Sequence, residues 1–174
     1  MAQKRDLFRL IQTVPVDYRG AIYHSFGEYL VDEGGKDPVV KIGDTFMHHL
    51  FGKSELAVEP SSIRIQDLTR TSQDSRILEE LETYETALFH LLLLVDMQRK
   101  RDTAGPSLLL KSGYPNVFYI RDMVGIAWTV LLSWSERDGG WSLDARSVGS
   151  VYEYIPGSRF ISLNTQITYV TPAL

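Results

Sequence analysis

The stretch of residues 71–102, TSQDSRILEELETYETALFHLLLLVDMQRKRD, constrains the fold of this chain more than any other part of its sequence. Its apolar residues recur at steps of three and four, the spacing that places side chains on one face of an α-helix. Thr71, Ser72 and Asp74 can cap a first turn, and Gly105-Pro106 follow as a stop signal. The pattern predicts one long helix, roughly 45 Å in length at about 1.5 Å per residue.

The second half of this predicted helix is apolar almost all round. Between residues 87 and 95 (ALFHLLLLV) only His90 interrupts the apolar side chains. The run is far shorter than the roughly 20 residues that a bilayer requires, so it must be covered by its own domain or by a second copy. We expect a central core helix, with a helix-mediated dimer as the alternative. His90 fits a core histidine with one satisfied nitrogen better than a ligand-binding residue.

Three shorter helices are predicted before the long one, over residues 4–13, 17–31 and 44–51. Val14-Pro15 ends the first, because the residue before a proline avoids helical geometry. Gly34-Gly35 ends the second, and Asp44 can cap the third. Residues 52–70 contain short alternating apolar segments, which are compatible with one or two strands.

After residue 107 the sequence is typical of strands. Residues 125–148 predict a hairpin around Asp138-Gly139. A two-residue loop pairs Trp134 with Leu143, and a four-residue loop pairs it with Trp141. Both loops leave the same apolar residues on one face. That face carries Ile126, Trp128, Val130, Leu132, Trp134, Trp141, Leu143 and Ala145. Further strands are expected at residues 117–122, 160–161 and 167–171.

The predicted fold class is therefore α+β. N-terminal short helices and one long central helix are expected, with a C-terminal antiparallel β-meander packed on that helix. The Leu-rich segment and the tryptophan-bearing face of the hairpin should meet in a shared core. Residues 1–174 are predicted to form a single domain, helical to about residue 105 and β-rich from about 107 to 174.

Composition narrows the possible functions. Hydrophobic residues make up 44% of the chain, the net charge is −4 and there is no cysteine. Disulfides, thiolate zinc sites and cysteine nucleophiles are excluded, and no global positive field draws the chain to nucleic acid. No secretory signal or membrane-length segment is visible, so the expected location is the cytoplasm, with no membrane partner.

Two motifs suggest sites but fit them poorly. Gly52-Lys53-Ser54 ends like a phosphate-binding loop, yet Met47 stands where that loop requires a glycine. His24 with Glu28, and Asp44 with His48, have the four-residue spacing of helix neighbours and could hold a divalent metal. Their helical positions lie away from the apolar stripes, so ordinary solvent-exposed pairs are expected and no metal site or cofactor is predicted.

The polar face of the predicted sheet is the remaining ligand candidate. Tyr119, Arg121, Asp144 and Arg146 should lie there, and His90 could join them from the helix. A solvated face with cross-strand ion pairs is the alternative. The basic run Gln98–Arg101 is explained by its place at a helix C-terminus, so nucleic acid is disfavoured as a partner.

No coherent set of catalytic residues emerges from these motifs. The favoured function is therefore a non-enzymatic protein-interaction module, which could be homodimeric, using the Leu-rich helix or the sheet surface. The alternative is a small-molecule-binding protein or enzyme with a pocket between the long helix and the sheet, drawing on His90, Tyr119 and Arg121.

Overall fold

The computed structural model describes residues 6–16, 25–31, 37–55, 61–81, 83–101 and 105–164. The sequence predictions at His24 and at residues 167–171 lie outside these ranges. In chain order the elements are β1 (Phe8–Val16), α1 (Phe26–Val31), β2 (Val39–Ile42), α2 (Asp44–His49), β3 (Ser61–Leu68), β4 (Ser72–Gln73), α3 (Asp74–Leu81), β5 (Glu85–Thr86), α4 (Leu88–Lys100), β6 (Asn116–Arg121), β7 (Ala127–Ser135), β8 (Gly140–Ser147), β9 (Glu153–Tyr154) and β10 (Arg159–Leu163).

An eight-stranded mixed sheet organises these elements. Seven strands lie in the order β1-β3-β10-β6-β7-β8-β2, and β5 pairs with β6 alongside them. The pairings of β6 with β10 and with β5, and of β2 with β8, are parallel, and the others are antiparallel. A separate two-stranded sheet joins β4 and β9. Strands from both halves of the sequence thus join one sheet, with β1 and β3 at one edge, β2 at the other and the later strands between them.

The predicted α+β class, with N-terminal helices and a meander on a long central helix, is wrong, because the described structure is mostly β. Of the helix predicted at residues 4–13, residues 8–13 belong instead to β1, which pairs with β3 from Phe8↔Leu68 to Val16↔Ser61. A register shift between Leu10 and Gln12 interrupts the two-residue alternation of β1, which hides its strand pattern. Its β-branched residues Ile11, Thr13, Val14 and Val16 favour the strand once β3 is available.

The predicted long helix is broken into α3 and α4. Between them, Glu85 and Thr86 pair in parallel with Tyr119 and Ile120 of β6. The Thr83 hydroxyl donates to the Leu163 carbonyl, and the Leu163 amide donates to the Thr83 carbonyl at 3.1 Å. These long-range hydrogen bonds outweigh the weak helix preference of threonine. The apolar period nevertheless runs on across the break, so it predicted a continuous helix.

Other predicted elements are present. The described part of the predicted second helix contains α1, α2 lies within the predicted third helix, and β3 covers one of the possible strands. The hairpin of β7 and β8 pairs Trp134 with Trp141, which selects the four-residue loop. β6 and β10 also lie where strands were expected.

One face of the sheet packs against α4 and forms the main core. The Leu-rich segment and the tryptophan-bearing face share this core, but the segment belongs to the separate helix α4 and not to a long central helix. Trp141 is fully buried in this core, and Trp128 and Trp134 pack against it half-buried. The prediction of Ile126 on this face is wrong, because Ile126 precedes β7 and is exposed. The α4 side chains in the core are Leu88, Leu91, Leu92, Leu94 and Val95. The apolar circumference of α4 is therefore covered largely by its own domain.

The opposite face of the sheet carries a second, smaller core. Val117, Tyr119 and Phe160 are buried there beneath Ile77 and Leu81 of α3 and Tyr154 of β9. The face that the sequence predicted to be polar and open is covered over this area. None of the helices in the described ranges is long and apolar enough to cross a membrane.

Candidate interaction surface

Large apolar side chains are exposed at the β6–β7 turn (residues 122–126). Met123, Val124 and Ile126 are 71%, 79% and 56% exposed. Single exposed apolar residues are normal on protein surfaces, whereas a contiguous group of them marks a contact site. Three such side chains lie within the five residues of this turn, which makes it a candidate contact site.

Asp122 braces the turn with hydrogen bonds from its side chain and its backbone. Its Oδ1 accepts hydrogen bonds from the amides of Val124 (3.0 Å) and Ile126 (2.9 Å), and its Oδ2 accepts one from Trp128 Nε1 at 2.9 Å. The Asp122 amide donates to the Ile126 carbonyl, and the Gly125 amide donates to the Asp122 carbonyl. Gly125 has a φ of +87°, a conformation that glycine adopts without strain. The apolar side chains therefore project from a fixed backbone.

The carboxylate of Asp122 is kept in its charged form. Burial alone would raise its pKa, but the hydrogen bonds from Trp128, Ile126 and Val124, together with His49, lower the pKa below its usual value. His49 Nδ1 lies 4.0 Å from Asp122 Oδ2, and the His49 ring stacks on Trp128 with centroids 4.0 Å apart. The turn is thus tied to α2 as well as to β7.

A second brace reaches the turn from β5. Arg121 Nε donates to Glu85 Oε2 at 2.8 Å, and Arg121 Nη1 donates to the Gly125 carbonyl at 2.7 Å. Glu85 belongs to the two-residue strand that interrupts the predicted long helix. Because the predicted helix is interrupted here, the Glu85 carboxylate can pair with Arg121. Arg121 in turn supports the β6–β7 turn.

The neighbouring β7–β8 turn (residues 136–139) shows the usual composition of an exposed turn. It carries Glu136, Arg137, Asp138 and Gly139, all exposed. Both turns flank the same strand, yet only the β6–β7 turn presents large apolar side chains. This contrast supports a role for the β6–β7 turn other than chain reversal.

Replacing Asp122 with alanine is expected to lower the free energy of unfolding by about 2–3 kcal/mol. The Val124 amide, the Ile126 amide and Trp128 Nε1 would lose a charged acceptor. Each such hydrogen bond contributes about 1.5–3 kcal/mol, and water that binds the freed donors recovers part of the sum. Urea denaturation at pH 7 measures the change. Glu136→Ala, an exposed position in the β7–β8 turn, is the matched control and should stay within about 0.5 kcal/mol of the parent. Equal losses in both variants would contradict the bracing role of Asp122.

The ligand candidates of β6 and β8 share the sheet face opposite α4, but each is engaged within the chain. The Tyr119 hydroxyl donates to Asp74 Oδ1 at 2.7 Å, and burial, followed by Asp74, raises the Tyr119 pKa well above its usual value. Arg121 pairs with Glu85. The Arg146 guanidinium stacks on the Tyr152 ring at 3.6 Å. Asp144 is exposed and lies against Gly43, at the start of α2.

His90 lies elsewhere, in a buried polar cluster at the N-terminus of α4. Glu55 Oε1 and Oε2 accept the amides of Leu88 (2.7 Å) and Phe89 (2.8 Å), and Lys53 Nζ lies 2.7 Å from Glu55 Oε1. Burial, with the charge of Lys53 adding to it, lowers the pKa of His90 to about 3. Because α4 packs on the face opposite Tyr119, the structure does not bring His90 together with Tyr119 and Arg121 in one pocket.

The cluster around Glu55 resembles an anion-binding site that is filled by a side chain of the same protein. A helix N-terminus with a nearby lysine would attract a phosphate or carboxylate. Here the carboxylate of Glu55 occupies that position and satisfies the first amides of α4. Lys53, from the Gly-Lys-Ser motif, pairs with Glu55. The cluster therefore fixes the start of α4.

Two of the four candidate metal ligands, Asp44 and His48, have side chains in the described part of the chain. Asp44 and His48 are exposed on α2, and the His48 ring lies 4.8 Å from that of His49. His24 and the side chain of Glu28 lie outside the described part of the chain. Among the residues that the structure describes, no group of three histidines or carboxylates is placed to hold a metal ion.

The exposed turn was not predicted as a site from the sequence, although a signal was present. Met123-Val124-Gly125-Ile126 places large apolar residues where a short strand connection usually carries polar ones. Its bracing by Glu85 and His49 depends on long-range contacts without a local pattern. Comparisons with protein-family models, curated proteins and solved structures give no match.

Proposed function

We propose that this chain is a non-enzymatic protein-interaction module whose contact surface is the β6–β7 turn. The observation that carries the proposal is the exposure of Met123, Val124 and Ile126 on a backbone fixed by Asp122. A preorganised apolar loop loses little conformational entropy when it enters a partner's pocket, and this favours binding. A homodimer and a cytoplasmic location belong to the same proposal.

A protein partner is favoured over a membrane by the charges around the turn. Attachment to anionic lipid depends on clusters of basic residues. Arg121, the basic residue that braces the turn, is paired with Glu85, and Asp122 adds a carboxylate. The chain as a whole has a net charge of −4. An apolar pocket on a protein surface is therefore the better match.

The polar clusters support a binding role rather than catalysis. Asp122 and Glu55 each hold backbone amides of their own chain. Asp74 accepts hydrogen bonds from Tyr119, Thr129 and the Gly149 amide. Each of these carboxylates is occupied by groups that it positions.

Photo-crosslinking tests the proposal in the cells that make the protein. A benzophenone amino acid at Val124 is expected to give discrete cross-linked protein bands, because this side chain would contact the partner. The same probe at Arg137, in the β7–β8 turn, is the matched control and should give only background. Adding Met123→Ser and Ile126→Ser should abolish the Val124 bands. Bands of equal strength from both turns, or none from either, would overturn the proposal.

Two further measurements separate the kinds of partner. Light scattering over a range of concentrations is expected to show a dimer that Met123→Ser/Ile126→Ser dissociates if the partner is a second copy. A monomer at every concentration removes the homodimer and leaves a different protein as partner. Flotation with phosphatidylcholine/phosphatidylserine vesicles should show no binding. Binding lost in the same variant would instead identify a membrane contact.

A further inference from the structure

A surface groove of about 510 Å³ lies near the start of β6, at the other end of this strand from the β6–β7 turn. β6 has six residues, so the two features are separated by roughly 20 Å at about 3.3 Å per residue. The groove is lined by Ser112, Gly113, Tyr114, Pro115, Tyr152, Ile155 and Ser158. Its volume falls within the range of ligand sites, about 300–1,000 Å³.

The walls of the groove concentrate exposed apolar surface. Tyr114 and Tyr152 are 39% and 46% exposed, and Ile155 is also exposed. Pro115 lines the groove beside them, and none of the lining side chains is charged. Tyrosine offers a flat apolar ring with a hydroxyl at its edge, which suits a ligand that is apolar but carries hydrogen-bond acceptors.

The chain holds these walls in place. The Arg146 guanidinium lies 3.6 Å from the centre of the Tyr152 ring, and Tyr152 also meets Tyr154 edge-on. Gly157 lies next to the Tyr114 ring, since a Cβ added at Gly157 would be 3.9 Å from that ring. Gly157 has a φ of +95°, a conformation that residues with a side chain rarely adopt. The Arg159 amide donates to the Pro115 carbonyl at 3.0 Å, which joins the two sides of the groove. These contacts brace Tyr114, Pro115 and Tyr152 against the rest of the chain.

We propose that this groove binds a proline-rich peptide segment in the polyproline II conformation. Proline rings pack on aromatic faces, and the backbone carbonyls of such a segment make no hydrogen bonds within it, so they remain available to tyrosine hydroxyls. The uncharged lining matches an uncharged peptide surface. Because the polyproline helix is already ordered, a small groove can bind it at low entropic cost. This site is independent of the contact surface at the β6–β7 turn.

Fluorescence anisotropy with labelled decaproline tests the proposal directly. Saturable binding is expected, and an equally long glycine/serine peptide should not bind. Tyr114→Ala and Tyr152→Ala should each weaken decaproline binding at least about tenfold, as the loss of an aromatic anchor does. Tyr114→Phe should weaken binding less than Tyr114→Ala, because it keeps the ring and removes only the hydroxyl. Met123→Ser, at the distant turn, should bind like the parent chain.

Amide chemical-shift perturbation supplies the second readout and checks that each variant is folded. Decaproline should shift the amides of residues 112–114 and 158 in the parent chain. Indole, an uncharged small aromatic probe, distinguishes the other occupant. If indole shifts these amides and decaproline does not, the groove is a small-molecule site and the peptide proposal is overturned. No shift with either probe, or equal binding by Tyr114→Ala and the parent, overturns it as well.

Discussion

Replacing Glu55 with alanine is expected to lower the free energy of unfolding by about 3–5 kcal/mol at pH 7, the usual loss when one partner of a buried ion pair is removed. The Lys53 ammonium would be left buried without its carboxylate. The amides of Leu88 and Phe89 would lose their acceptor at the first turn of α4. Urea denaturation followed by circular dichroism measures the loss.

Two controls identify the cause of that loss. The double variant Lys53→Met/Glu55→Gln leaves no unpaired charge and keeps an amide oxygen near α4, so it should lose less than half as much. Asp96→Ala removes the partner of Lys100 on the exposed side of α4, where the pair contributes only about 0.3–0.5 kcal/mol. A loss at Glu55 no larger than that at Asp96 would contradict the buried-cap interpretation.

The stability of the chain is expected to fall steeply below neutral pH because of His90. Burial lowers its pKa in the folded chain from 6.5 to about 3, so the unfolded chain binds more protons between these values. Stability is therefore fully present above about pH 6.5 and is lost as pH falls towards 3. Linkage gives a loss of about 2 kcal/mol between pH 7 and pH 5, and about 4 kcal/mol by pH 3.

The variant His90→Gln isolates this effect. His90 Nδ1 accepts the Ala87 amide at 2.8 Å, and a glutamine at the same helix position can accept it without titrating. Unfolding free energies measured from pH 7 to pH 5 should change much less in the variant than in the parent. Asp122, whose pKa is lowered, loses its contribution only below its usual value near 3.8, outside this interval. Identical pH slopes would show that His90 is not a buried neutral group.

Periodicity predicted the elements whose patterns are local. The alternation around Asp138-Gly139 placed the β7–β8 hairpin and its buried face. Asp44 marked the start of α2, although it is the first helical residue and Gly43, without a side chain, stands at the cap position. In both places the residues that define the element lie next to one another in sequence, so hydrophobic pattern and turn preference agree with the final structure.

The elements that the sequence predicted wrongly depend on contacts between residues far apart in the chain. Leu81, Tyr84 and Leu88 keep the helical period across the break, although Thr83–Thr86 hydrogen-bond with β6 and β10 instead. Glu55 lies more than 30 residues before the helix that it caps. The alternating pattern correctly placed Tyr119 and Arg146 on the same face of the sheet. The sequences of β6 and β8 contain no sign that α3 and β9 cover this face.

The departure of residues 83–87 from the helix links the parts of this structure. It frees the N-terminus of α4 for Glu55, and it places Glu85 beside Arg121, which supports the exposed turn. Nuclear Overhauser effects in the labelled chain test it most directly. Cross-strand contacts of Glu85 and Thr86 with Tyr119 and Ile120 are expected. Continuous helical contacts from residue 79 to residue 92, without any contact to β6, would contradict the fold, the cap and the brace together.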